Sequence, residues 1–152
     1  MRYLAGLLLA LLVTGCAHKT IGVVDFPEGV IQHRVIEGEI KWKPCPPNLP
    51  KDCEMFVLEG HPKKPDMFTV RFRLGKSFVM PAHTHPKDER VTLLSGKAAV
   101  GFGVDATLET AQKFGPGDYY INKRDAVHIV WALEPTVMQI TGIGPWEAHF
   151  VK

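Results

Sequence analysis

No stretch of this chain is apolar for the roughly 20 residues that a bilayer-crossing helix needs. The longest run, Leu4 to Val13, has ten residues; as a helix it would span about 15 Å against the roughly 30 Å of a hydrocarbon core. No block of basic residues is present either. The 18 Lys and Arg nearly balance 16 Asp and Glu, which argues against a nucleic-acid partner. Sustained 3.6-residue periodicity is missing, and with it the signature of a helical bundle. Cysteine is scarce, with three in 152 residues, and no two of them form a Cys-x-x-Cys pair, so a dithiol redox motif is not indicated. What the chain does have is 14 glycines, 12 prolines and a succession of short β-rich runs, the composition of an all-β sandwich or barrel.

The first fifteen residues read as an export signal and not as part of the fold. Arg2 supplies a positive start, the ten-residue run follows, and Val13-Thr14-Gly15-Cys16 ends it with small residues that suit a peptidase cleft. That tetrapeptide resembles the bacterial lipobox, whose cysteine becomes the lipidated first residue of the mature chain; an ordinary secretory signal with a coincidental cysteine is the alternative. The resemblance implies that Cys16 carries acyl chains such as palmitate and that the protein is lipid-anchored in the cell envelope. At about 0.8 kcal/mol per buried methylene, several chains anchor a protein stably. Ala17 after the cysteine resembles the outer-membrane sorting class, which in a Gram-negative host would face the periplasm. Removing residues 1–15 from 152 leaves 137, enough for one domain with a sizeable core. The expected organisation is a tether over 16–29, N-terminal strands and a cysteine loop over 30–66, and a barrel over 67–150.

Export also sets the reading of Cys45 and Cys53. Outside a reducing compartment, two cysteines this close are expected to be bridged, pinning a proline-rich loop; by the chain-entropy model so small a ring contributes about 2.5 kcal/mol at most. Before them, Val30 to Trp42 is expected to hold one or two strands. After them, Met67 to Leu74 alternates, with Phe68, Val70, Phe72 and Leu74 on one side and Thr69, Arg71 and Arg73 on the other. The arginines are expected on a wet outer face. The alternative is a barrel mouth, where a guanidinium could hold a substrate carboxylate bidentately.

The chemistry concentrates between His83 and Gly96. Alternate residues of an extended strand project to one face, about 7 Å apart at the Cα, so His83 and His85 can converge while Thr84 points away. Pro86 tends to end the strand. A three-residue hairpin loop over Pro86-Lys87-Asp88 would then set Glu89 opposite His85, on the same face. Val91 to Leu94 continues as a strand to the Ser95-Gly96 turn. Farther on, Gly115-Pro116-Gly117 opens a stretch that reaches His128 in the apolar run Ala126 to Leu133, where a buried imidazole must find a partner. Clustered His and carboxylate groups are a metal signature.

Two histidines one residue apart, a glutamate four after the second and a glycine seven after the glutamate resemble the first motif of the cupin family. Gly117 and His128 keep the spacing of its second motif. Ser77 stands where the family has an earlier glycine, with Gly75 nearby, while Lys123 and Asp125 replace the usual Pro and Gly before the last histidine and Ala132 an Asn after it. The resemblance covers Met67 to Ile143. It implies an all-β cupin-type jelly roll, a double-stranded β-helix, with one divalent metal held by His83, His85, Glu89 and His128. Three nitrogens and one oxygen suit Mn, Fe, Ni, Co, Cu or Zn, and an octahedral ion would keep two positions open for water, an anion or a chelating substrate. Such a site implies either a mononuclear metal enzyme acting on a small organic molecule, with dioxygenase chemistry the first expectation and isomerase the next, or a non-catalytic module that binds a small molecule, an anion or a metal. Fold does not choose between them. Self-association into a homodimer is left open.

Val127 to Leu133 and Thr136 to Ile143 read as paired strands joined at Glu134-Pro135. That register would set Val130 opposite Gln139 and His128 opposite Thr141, bringing Gln139 to the ligand face. Gln139, Arg71, Arg73 and Tyr120 are thus the candidates to support the metal or touch a substrate. Trp146 is expected to be a core or rim aromatic, and His61 a solvated loop residue.

Overall fold

The computed structural model describes residues 21–151. The export signal, Cys16 and the first residues of the tether lie outside the described residues. Residues 21–42 run irregularly, with a single 3-10 turn at Glu37–Glu39, so the strands expected in Val30 to Trp42 do not form. The segment has no apolar face to bury: Ile31 is 95% exposed, Val30 and Ile36 are largely exposed, and only Ile40 is buried there.

Eleven strands follow among the described residues: β1 (Lys43–Pro44), β2 (Cys53–Glu59), β3 (Met67–Leu74), β4 (Val79–Thr84), β5 (Glu89–Ser95), β6 (Ala98–Phe102), β7 (Gln112–Phe114), β8 (Tyr119–Asn122), β9 (His128–Ala132), β10 (Thr136–Ile143) and β11 (His149–Phe150). They form two antiparallel sheets, one ordered β1-β2-β3-β10-β5-β8 and the other β11-β4-β9-β6-β7. Alternation decides which face is buried. Phe68, Val70, Phe72 and Leu74 of β3, Met138 and Ile140 of β10, and Val91 and Leu93 of β5 turn inward from the first sheet. Met80, Val100, Val130 and Ala132 meet them from the second. Each large apolar side chain buried in this way contributes roughly 1.5–3 kcal/mol.

Two expected pairings are corrected. Strands β4 and β5 lie in different sheets, so Pro86-Lys87-Asp88 is a corner between sheets and not a hairpin loop. The loop before β9 holds that corner: Asp125 N–H donates to the His85 carbonyl at 2.9 Å, and Arg124 N–H donates to Asp88 Oδ1 at 3.0 Å. Likewise β9 and β10 do not pair. Strand β9 has β4 and β6 on its two edges, and β10 has β3 and β5, so neither keeps a free edge for the other, and the chain crosses between sheets at Leu133–Pro135. The β5–β6 corner packs against this crossing, and Gly96 makes it possible. It sits at φ 74°, and a Cβ there would lie 2.2 Å from the Pro135 carbonyl oxygen.

The expected disulfide is present: Cys45 and Cys53 are bridged, with their Cα atoms 5.5 Å apart.

Candidate metal centre

His83, His85 and His128 come together although only the first two are close in sequence. His83 and His128 are direct cross-strand partners on β4 and β9, so they share a face, and His85 follows just past the end of β4. All three rings are nearly fully buried. Each is held the same way through Nδ1: His83 contacts the Pro81 carbonyl at 2.7 Å, His85 the Glu147 carbonyl at 2.8 Å and His128 the Ala126 carbonyl at 2.9 Å. A carbonyl only accepts, so each Nδ1 carries the hydrogen, and in the neutral ring each Nε2 is left as a lone pair. One ligand nitrogen from each ring lies within 4.8 Å of the others.

Glu89 arrives from the opposite sheet, at the start of β5, and is itself buried. Its Oε1 lies 3.3 Å from His85 Nε2 and its Oε2 3.6 Å from His128 Nε2. Asn122, opposite it on β8, donates from Nδ2 to Oε2 at 3.0 Å. Three imidazole lone pairs and a carboxylate therefore face one another with few protons between them. His83 Nε2 and His85 Nε2 stand 3.1 Å apart, and His128 Nε2 is buried with no hydrogen-bond partner. Such a set is repulsive when left to itself, and it suits a cation, which each atom could ligate at about 2 Å. The donor set thus fits a divalent ion.

The electrostatics agree. Burial, reinforced by His128 and His85, lowers the His83 pKa from 6.5 to about 4, against the opposing pull of the Pro81 carbonyl and Glu89. Burial lowers His85 as well, with Glu89 acting against it. For Glu89 burial alone would raise the pKa, but the imidazoles of His128, His85 and His83 packed around the carboxylate outweigh it and hold the carboxyl below its usual range. Near neutral pH His83, His85 and Glu89 are in the protonation states a metal requires.

The four candidate supporting residues divide. Tyr120 faces Val91 across β8 and β5 and lines the cavity beside Glu89; burial, then the Glu89 charge, pushes its pKa far up, so its hydroxyl stays neutral. Gln139, Arg71 and Arg73 stand on the other face of their sheet. Arg71 Nε donates to Gln139 Oε1 at 3.0 Å, and Arg73 pairs with Glu54 and stacks over Trp42, 4.8 Å from the ring centroid. The register inferred from a β9–β10 hairpin is what placed Gln139 on the ligand face, and without that hairpin the placement fails.

Two site residues carry no motif signal. Trp146 lies flat on His85, with centroids 4.7 Å apart and planes at 15°, and packs on Phe68 and Phe72. It follows the Gly144-Pro145 turn, where no strand periodicity marks its direction. Asn122 was detectable in principle, because it is two residues from Tyr120 and so shares its inward face.

No family model matches the sequence and no curated protein matches it. Solved structures do match in shape. The acetylacetone dioxygenase of Acinetobacter johnsonii is 16% identical, with a TM-score of 0.63 over 86% of this chain and 85% of that one. The polyketide cyclase RemF of Streptomyces resistomycificus is 16% identical, with a TM-score of 0.66 over 80% and 87%. An RmlC-like cupin of Shewanella frigidimarina is 12% identical, with a TM-score of 0.57 over 74% and 91%. The chain has the cupin fold. In this cupin fold the buried cluster lies inside the barrel, at the end of a cavity that continues between the sheets past Phe72, Met80, Val130 and Met138.

Proposed function

We propose that the protein is a mononuclear metal-binding cupin of the cell envelope that acts on a small organic molecule, with His83, His85, His128 and Glu89 as the metal ligands. One observation carries the reading: three Nε2 lone pairs, each fixed by a backbone carbonyl behind the ring, converge with a carboxylate in a buried pocket. A bound divalent ion would supply Lewis acidity or a site for dioxygen. The chain's own residues supply the rest. Asn122 orients the carboxylate, and Trp146 packs flat against His85 and fixes its ring. Neutral Tyr120 offers a hydroxyl proton to a ligand oxygen, and the buried indole N–H of Trp146, without a partner of its own, offers a second donor. Oxygenase chemistry is the first class to test, since the similar solved structures include an acetylacetone dioxygenase and a putative one. The narrow cavity also suits a second reading, capture of a small ligand without turnover.

Metal analysis of protein from its native host, followed by oxygen uptake with candidate substrates, tests the proposal. One equivalent of metal with substrate-dependent uptake supports the enzyme; one equivalent with ligand binding but no turnover supports the binding module. Metal-free protein that takes up none under any condition would contradict both.

A further inference from the structure

Building on the metal-site reading, we propose that Leu49, on the loop closed by the Cys45–Cys53 disulfide, is the stop that sets ligand length, and that the ligand has a chelating head and an unbranched apolar tail. The metal cluster and the loop lie at opposite ends of one cavity. Glu89 sits one step beyond the row that joins Arg90, Thr141 and Thr69 across β5, β10 and β3, whereas Cys53 pairs with Leu74. Thr69 and Leu74 are five residues apart, about 17 Å of strand. The same cavity touches His83 and Glu89 at one end and Leu49 and Cys53 at the other.

Its walls between those ends are apolar, and among the described residues no lysine or arginine lines it. The volume open to the centre of a water molecule is only about 50 Å³, enough for a few waters. So small a volume favours an unbranched tail over branched or ring-bearing ones, and its lack of cations disfavours an anionic tail. Polar groups occur only at the metal end, where a chelating head would meet the open coordination positions.

The loop is built to place one side chain at the far end. Leu49 N–H donates to the Pro46 carbonyl at 2.9 Å, and Cys45 N–H donates to the Cys53 carbonyl at 3.0 Å, so the bridged segment is a tight turn. Pro46, Pro47 and Asn48 are exposed, while Leu49 dips inward against the core. The turn contributes no strand to either sheet, so Leu49 makes none of the ladder pairings of the barrel.

The test uses the metal-loaded protein and a series of straight-chain alkyl hydroxamates, from acetohydroxamate upward, with affinity measured by calorimetry. Affinity should rise roughly fourfold per methylene until the tail meets Leu49, then fall. Leu49→Ala should move the optimum to longer chains and Leu49→Phe to shorter ones, with metal affinity unchanged in both. An optimum at the same length in all three proteins, or no optimum, overturns the role of Leu49. If no hydroxamate of any length binds the metal-loaded protein, or if it takes up no metal, the site reading itself fails and the proposal falls with it.

Discussion

His128 shows the logic of the site at the scale of single residues. Its Nδ1 is committed to a backbone carbonyl and its Nε2 is buried without a partner, an arrangement that costs a folded protein about 1–3 kcal/mol unless something occupies the lone pair. His83 makes a related cost measurable. In the metal-free protein its pKa is lowered to about 4, chiefly by burial, from 6.5. Between those values the unfolded chain binds a proton that the folded chain refuses. Stability from this group is therefore complete above about pH 6.5 and is lost progressively as pH falls toward 4, by about 3 kcal/mol at most. Lowered His85 and Glu89 pKa values act in the same direction. Urea unfolding of chelator-treated protein, near neutrality and near pH 4, should show that decline; a flat profile would mean that the imidazoles are not buried as described.

At the scale of elements, the disulfide loop and the corners carry the testable content. Replacing both Cys45 and Cys53 by Ser should lower stability by up to about 2.5 kcal/mol, the loop-closure value for so small a ring, read as a lower denaturant midpoint with unchanged slope. No shift in the midpoint would mean that Leu49 packing alone holds the loop. The elements also explain what could be read in advance. Strand β3 is legible because its inward face is wholly apolar, Phe68, Val70, Phe72 and Leu74, and alternates with the polar Thr69, Arg71 and Arg73, although Thr69 is buried too. His83, His85, Glu89 and Gly96 are legible as a motif because geometry constrains each: two residues of one strand face, one residue across a corner, and a glycine where the Pro135 carbonyl leaves no room for a Cβ. The pairing of those elements is not legible. A short polar segment such as Pro86-Lys87-Asp88 closes a hairpin or turns between sheets equally well, and the choice depends on which strand edges are already taken. That is why the face on which Gln139 stands is not legible, whereas the direction of Trp146 is hidden because it follows the Gly144-Pro145 turn outside any strand.

At the scale of the whole molecule, the proposal joins an anchor outside the described residues to a barrel that holds a buried cluster. Among the described residues no helix is long and apolar enough to cross a membrane; the proposed attachment is through acyl chains on Cys16. Cys16→Ser should leave the precursor unprocessed or shift the protein to the soluble fraction, and fractionation with mass analysis of the N-terminus reads either result. Unchanged partitioning and an unchanged processing site would remove the lipid anchor from the account. The barrel's claim is the central one, and metal stoichiometry tests it most directly. Mass spectrometry of the intact protein under native conditions should find one divalent ion per chain, lost in the His83→Ala/His128→Ala double variant and kept in His61→Ala and His149→Ala. A double variant that keeps its full equivalent of metal would contradict the account.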